Sequence, residues 1–258
     1  MNNIMSVFRP DSKALIAYLT AGYPNIETTQ EAASILADRG CDIIELGIPF
    51  SDPLADGATI QKASYEALQR GVTTSVCLEL AHRLHQQIAA PLLFMTYYNP
   101  VFSFGLEAFC QDSAQAGISG IIIPDMPPEE GTELEAVARK HNLSLTYLLA
   151  PTSTEERIST VVASCQGFIY LVSLTGVTGA RQILPLELED FVKRVKQKAH
   201  QPLCVGFGIS TPEQASRVAK VADGVIVGSR LIQLIEEDAT LSSIKAFTSS
   251  LREALDQK

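Results

Sequence analysis

Residues 41–57 read CDIIELGIPFSDPLADG. An apolar run, Asp42–Gly47, ends on a glutamate and a glycine, and a stiff, proline-containing, twice-acidic loop follows before a helical pattern starts near Thr59. With a period of two, Ile43 and Glu45 share one face of a strand and Ile44 and Leu46 the other. Apart from that glutamate, both faces are apolar, as in parallel strands covered by helices. The same unit recurs outward in both directions. Strand-like runs occupy Ala14–Leu19, Asp42–Gly47, Leu92–Thr96, Gly120–Pro124, Ser144–Leu149, Phe168–Val172, Leu203–Phe207 and Gly224–Val227. Amphipathic segments separate them: Thr28–Arg39, Thr74–Ile88, Leu106–Gln115, Glu130–His141, Thr154–Ala163, Leu186–Lys198, Pro212–Val221 and Leu241–Asp256. Thr154 before two glutamates, and Thr211 before Pro212 and Glu213, are helix start signals. Eight strand-then-helix units in 258 residues fit one α/β domain over residues 1–258, a closed (β/α)8 TIM barrel with extra short helices. An open doubly wound sheet is the rival.

The net charge of −9 argues against a nucleic-acid or anionic-membrane surface, but leaves room for a small anion held by backbone dipoles. The five cysteines are scattered, odd in number and free of any C-x-x-C pair, which reads as structural thiols in a reducing compartment. The opening MNNIMSVFRPDSK has no apolar core, and no apolar run approaches the roughly 18 residues a membrane helix needs. The expectation is a cytoplasmic chain without a signal peptide.

In both candidate folds, ligands bind beyond the carboxyl ends of the strands. That placement filters the chemistry. His82 and His85 lie on a polar helix face, and His141 and His200 precede strands, on the opposite rim, so the sequence offers no metal site there. The lysines fall before the first strand, on helices or in flanking segments, which removes a Schiff base. Cys41 and Cys204 open strands, away from the mouth. Glu45, Asp56, Asp125, Tyr97, Tyr170 and assorted hydroxyls remain, and they point to proton transfer by carboxylates. An inward Glu45 at the rim is desolvated, which favours its protonated form and suits a proton donor; a structural carboxylate bonded to backbone is the plainer reading. Asp56, in Ala-Asp-Gly before a helix, and Asp52, before Pro53, also read as cap or turn formers. GFGIS (Gly206–Ser210) and VGS (Val227–Ser229) follow the seventh and eighth strands, where barrels commonly hold a phosphate, making Gly208, Gly228 and Ser229 natural donors; ordinary βα turns are the alternative. SLTGVTGA (Ser173–Ala180) after the sixth strand reads as a closing lid or as an uncommitted loop.

ELGIPFSDPLADG with Thr59–Gln61, YLTAGYP (Tyr18–Pro24), GVTGA (Gly176–Ala180), GFGIS and VGS together resemble the tryptophan synthase α subunit family, in order and over essentially the whole chain. The resemblance implies retro-aldol cleavage of indole-3-glycerol phosphate to indole and glyceraldehyde 3-phosphate, with no metal or organic cofactor in this subunit. It makes Glu45 the acid–base group, Asp56 the acceptor of the indole N–H, and Tyr170 an orienting group. It places Tyr18, Tyr97, Ile122, Leu149 and Phe207 around the ring, Thr178 against Asp56 on lid closure, and Gly179 with Gly208, Gly228 and Ser229 around the phosphate. It also implies a pyridoxal-phosphate β subunit as partner, in an αββα heterotetramer, with indole passing between sites. Pro49, Ser51, Asp52, Pro53, the Pro124–Pro128 loop and Asn99 sit where the family contacts that partner. Two positions depart from the pattern: Ala58 stands where many relatives have proline, and Leu174 where many have arginine. Another phosphate-binding barrel enzyme, or a weakly active or non-catalytic α subunit serving to activate its partner, stay open as alternatives.

Overall fold

The computed structural model describes residues 4–172, 187–206 and 208–257. Nine strands form one sheet: β1 (Ala14–Thr20), β2 (Ile43–Gly47), β3 (Leu92–Met95), β4 (Ile118–Ile122), β5 (Ser144–Thr146), β6 (Leu148–Leu149), β7 (Ile169–Val172), β8 (Leu203–Gly206) and β9 (Gly224–Val227). Their order is β5-β4-β3-β2-β1-β9-β8-β7-β6, and every pairing is parallel. The two outer members are pieces of the single strand expected at Ser144–Leu149. Tyr147 interrupts it: its N–H donates to Cys165 Sγ at 3.4 Å, while its carbonyl accepts from Tyr170 N–H at 3.1 Å. With β5 on β4 and β6 on β7, that one segment closes the sheet, so the eight expected strands make a barrel and the open-sheet rival is set aside.

The helices are α1 (Ile26–Asp38), α2 (Ala58–Gln69), α3 (Thr74–Gln87), α4 (Tyr98–Phe104), α5 (Leu106–Gln115), α6 (Thr132–Lys140), α7 (Glu155–Ser164), α8 (Glu187–Lys196), α9 (Pro212–Ala219), α10 (Ser229–Glu237) and α11 (Ser242–Asp256). Thr154 and Thr211 cap α7 and α9 as expected, accepting from Arg157 N–H at 3.2 Å and Gln214 N–H at 3.3 Å. Helix α4 escapes the periodic reading: it is short, and its start is secured by a distant residue, Asp125, whose carboxylate accepts from Tyr98 N–H at 2.9 Å. The fourth strand begins at Ile118, two positions earlier than expected, because Leu92 pairs with Ile118 before the register shifts at Leu93.

Strand alternation divides the apolar side chains into two layers. Leu15, Ala17, Ile44, Leu46, Phe94, Leu171 and Val205 pack outward against helices. Ile16, Tyr18, Ile43, Leu93, Met95, Ile122, Phe168, Tyr170, Cys204 and Ile226 fill the interior, with Ile4 at its lower end. All five cysteines are buried, free thiols. At the amino ends of the strands, Asp42 accepts from Leu15 N–H at 2.8 Å and from Arg252 of α11 at 3.2 Å, and Asp223 accepts from Leu203 N–H at 2.9 Å.

Candidate active site

Glu45 sits on the inner face of β2, directly in register with Tyr18 of β1 and Leu93 of β3. It is 0% exposed, and neither carboxyl oxygen finds a hydrogen-bond partner among the described residues. Desolvation, and secondarily the charge of Asp56, push its carboxyl up to about 8. The plainer reading, a structural carboxylate bonded to backbone, finds no such bond among the described residues. Asp56 is also buried. Its Oδ2 accepts from the Tyr97 hydroxyl at 3.1 Å, while its Oδ1 has no partner among the described residues. Burial raises its carboxyl to about 6, against the lowering effect of the Tyr97 bond. Nor is Asp56 a helix cap: the residue capping α2 is Gly57, and no side chain bonds the exposed N–H groups there.

The loop that carries Asp56 is fixed from both sides. Ala55 N–H donates to the Tyr97 oxygen at 3.0 Å, and Gln61 Nε2 donates to the Asp56 carbonyl at 2.9 Å. Tyr18 and Tyr170 complete the apolar surround. The Tyr18 hydroxyl lies 3.3 Å from Thr20 Oγ1. Each phenol end lies over a glycine: a Cβ at Gly47 would come within 2.1 Å of the Tyr18 oxygen, and one at Gly206 within 2.2 Å of the Tyr170 oxygen. Burial raises both phenols well above their ordinary range, so they stay neutral.

A cleft partly open to solvent adjoins these groups. Tyr18, Asp56, Ile60, Met95, Tyr170 and Ile226 line it, together with Gly208, Ile209, Ser210, Gly228, Ser229, Arg230 and Gln233. Gly208 has φ +84°, a left-handed conformation that glycine adopts without strain. Gly228 caps α10 with no side-chain hydrogen bond, so among the described residues the first N–H groups of α10 have no side-chain cap and can meet an anion. Glu45 does not itself line this cleft; it is enclosed beside it, within electrostatic reach of Asp56, Tyr18 and Tyr170.

The model of the tryptophan synthase alpha chain family matches residues 5–256. The chain belongs to the tryptophan synthase alpha chain family. Among curated relatives, the tryptophan synthase alpha chain of Dehalococcoides mccartyi is 56% identical, covering 99% of this chain and 100% of its own. That of Chloroflexus aggregans is 49% identical, over 93% of this chain and 90% of its own. Among solved structures, a tryptophan synthase of Mycobacterium tuberculosis superposes with a TM-score of 0.92 at 38% identity, covering 99% of this chain and 97% of that one.

Of the residues expected from tryptophan synthase alpha chains, Tyr18, Asp56, Tyr170, Gly208, Gly228 and Ser229 meet in the one cleft. Tyr97 joins through its bond to Asp56, and Ile122 lies in the inner layer. Leu149 is not brought there: it is buried in the outer layer, and Leu148 packs against the inner one, because the break at Tyr147 sets which side chain faces in. Thr178, Gly179 and Phe207, with the expected lid and Leu174, lie outside the described residues. On the rim, Ser51, Asp52 and Asn99 are exposed and Pro53 is half-buried, whereas Pro49 is buried within this chain's own fold. Ile60, Met95, Ile226, Arg230 and Gln233 were not anticipated. Met95 was legible, since it shares the inward face of β3 with Leu93.

Proposed function

We propose that the cleft at the carboxyl end of this barrel cleaves indole-3-glycerol phosphate into indole and glyceraldehyde 3-phosphate, with Glu45 as acid and base and Asp56 as the fixed anion. Membership of the family makes the chain a carbon–carbon lyase of tryptophan biosynthesis. The observation that carries the assignment of roles is the enclosed Glu45 carboxyl, without a hydrogen-bond partner among the described residues and raised to about 8, beside a second carboxyl raised only to about 6. Two acids with separated affinities for the proton can take different parts in one reaction at neutral pH.

The substrate phosphate lies against the free N–H groups of α10, Ser229 and Gly208, where the helix dipole favours an anion. The indole ring lies between Tyr18 and Tyr170, against Ile60, Met95 and Ile226. Its N–H donates to Asp56. The Glu45 carboxyl, turning about its own side-chain torsions to meet the ring, gives a proton to indole C3. The ring becomes an indoleninium cation, whose charge Asp56 stabilises only after protonation, so the interaction lowers the barrier rather than merely aiding binding. The Glu45 carboxylate then takes the proton of the adjacent side-chain hydroxyl. The carbon–carbon bond breaks, its electron pair returns to the ring to restore indole, and the hydroxyl carbon becomes the aldehyde. Glu45 ends protonated, as it began.

The partner is a tryptophan synthase β chain, which carries the pyridoxal phosphate, joined in an αββα assembly through the rim of the cleft. Two large apolar side chains support that placement: Leu54, 92% exposed on the loop between Glu45 and Asp56, and Phe102, 65% exposed on α4. The test is indole release from indole-3-glycerol phosphate by wild type, Glu45→Gln and Asp56→Asn, with and without the β chain. Both variants should lose most of the activity; near-normal cleavage by Glu45→Gln would sink the assignment.

A further inference from the structure

Among the described residues that line the cleft, Arg230 carries the only positive side chain, against the Asp56 carboxylate. It follows Ser229 directly, in the first turn of α10. That is an unfavourable place for a cation, because the amino end of a helix is itself positive and is stabilised by anions. No acidic residue in that first turn offsets it. Among the described residues, the guanidinium is held only by long contacts, from Nη1 to Gln233 Oε1 at 3.4 Å and to Glu237 Oε1 at 3.3 Å. Glu237 is 58% exposed, so this ion pair is well solvated and of little strength. Gln233 in turn donates to Thr59 Oγ1 at 3.4 Å, linking α10 to the start of α2.

Resting on the phosphate placement proposed above, we infer that Arg230 is the electrostatic clamp for the substrate phosphate, exchanging its loose contact with Glu237 for a charge-assisted bond to the phosphate oxygens. A dianion at the α10 terminus offsets the positive helix end, so the guanidinium can turn back toward it from Glu237. It also gives the arginine the planar, two-donor contact that suits phosphate. Arg230 thereby selects for the phosphorylated substrate, while the carbon–carbon bond breaks at the other end of the cleft. Glu237 is its competitor, holding the guanidinium until the phosphate arrives.

The experiment is initial-rate indole formation by the full chain, with glyceraldehyde 3-phosphate as a competing ligand, for wild type, Arg230→Ala, Arg230→Lys and Glu237→Gln. Arg230→Ala should raise both KM and the inhibition constant on the order of tenfold, with kcat within about twofold. Arg230→Lys should recover part of the loss, and Glu237→Gln should lower both constants. Unchanged constants in Arg230→Ala, or weakened binding in Glu237→Gln as well, would overturn the clamp while leaving the phosphate cradle intact. Failure of glyceraldehyde 3-phosphate to compete even in wild type would overturn the cradle, and the clamp with it.

Discussion

The lower and upper halves of the barrel interior are built on the same strands, two residues apart, yet they do opposite things. Ile16 and Ile43 pair in register near the bottom; Tyr18 and Glu45 pair in register one step higher. Phe168 belongs to the lower layer and Tyr170 to the upper. Below, the side chains are apolar, and each contributes about 1.5–3 kcal/mol through burial. Above, the same enclosure holds a carboxyl with no partner among the described residues and a second carboxyl with one free oxygen. Burial that stabilises an isoleucine instead forces Glu45 to keep its proton. The fold is secured in one layer, and a carboxyl is held protonated in the next.

The sharpest contrast comes from Glu45→Gln, which should cut indole release on the order of 10²–10⁴-fold while leaving the chain folded. Its counterpart below, Phe168→Ala, should cost about 3–5 kcal/mol in chemical denaturation, with kcat of the folded fraction within about twofold. If the two variants behaved alike in both assays, the division into layers would fail.

The upper layer also predicts a dependence on pH. The folded state raises Glu45 from 4.5 to about 8 and Asp56 from 3.8 to about 6, so it binds these protons more tightly than the unfolded chain does. That contribution is full at low pH, below the unfolded values, and is lost as pH rises through the folded ones. Wild type should therefore lose stability relative to Glu45→Gln between pH 4.5 and 8, by on the order of a few kcal/mol. A difference that stayed constant across that range, in parallel denaturation curves, would contradict the raised carboxyl.

Smaller effects refine the comparison. Tyr97→Phe removes the donor to Asp56 and the acceptor for Ala55 N–H. It should cost about 1 kcal/mol of stability and move the Asp56-linked limb of the rate profile to higher pH. A limb that moved to lower pH would contradict the bond's role. Pro53→Gly should have the mildest effect on intrinsic cleavage but reduce stimulation by the β chain, since Pro53 lies beside the exposed Leu54. Equal loss of both activities would separate this loop from the partner contact.

The barrel was legible because its signal repeats: each strand run is apolar on both faces and each is followed by a helical period. The inward direction of Glu45 followed from the same alternation, and Met95 could have been found by it. Leu149 shows the limit. A one-residue interruption at Tyr147 reverses which neighbour faces the interior, and an apolar string such as Leu148-Leu149 carries no mark of that break. Helix α4 was missed because a carboxylate from the next strand's loop secures its start. Asp56 reads more readily as a cap or turn former, and its N–H does close a turn on the Pro53 carbonyl at 3.0 Å; what the sequence does not show is its side-chain bond to Tyr97, 41 positions away. Arg230 was passed over because the destination of a long, flexible side chain is decided by charges brought near it by the fold.

The protonation of Glu45 can be observed directly as its carboxyl C=O stretch, by infrared difference between wild type and Glu45→Gln across a pH series. The band should be present at pH 7 and disappear with a midpoint near 8. A Glu45 already ionised at pH 7, titrating in the ordinary carboxylate range, would contradict the enclosed proton donor on which the mechanism rests.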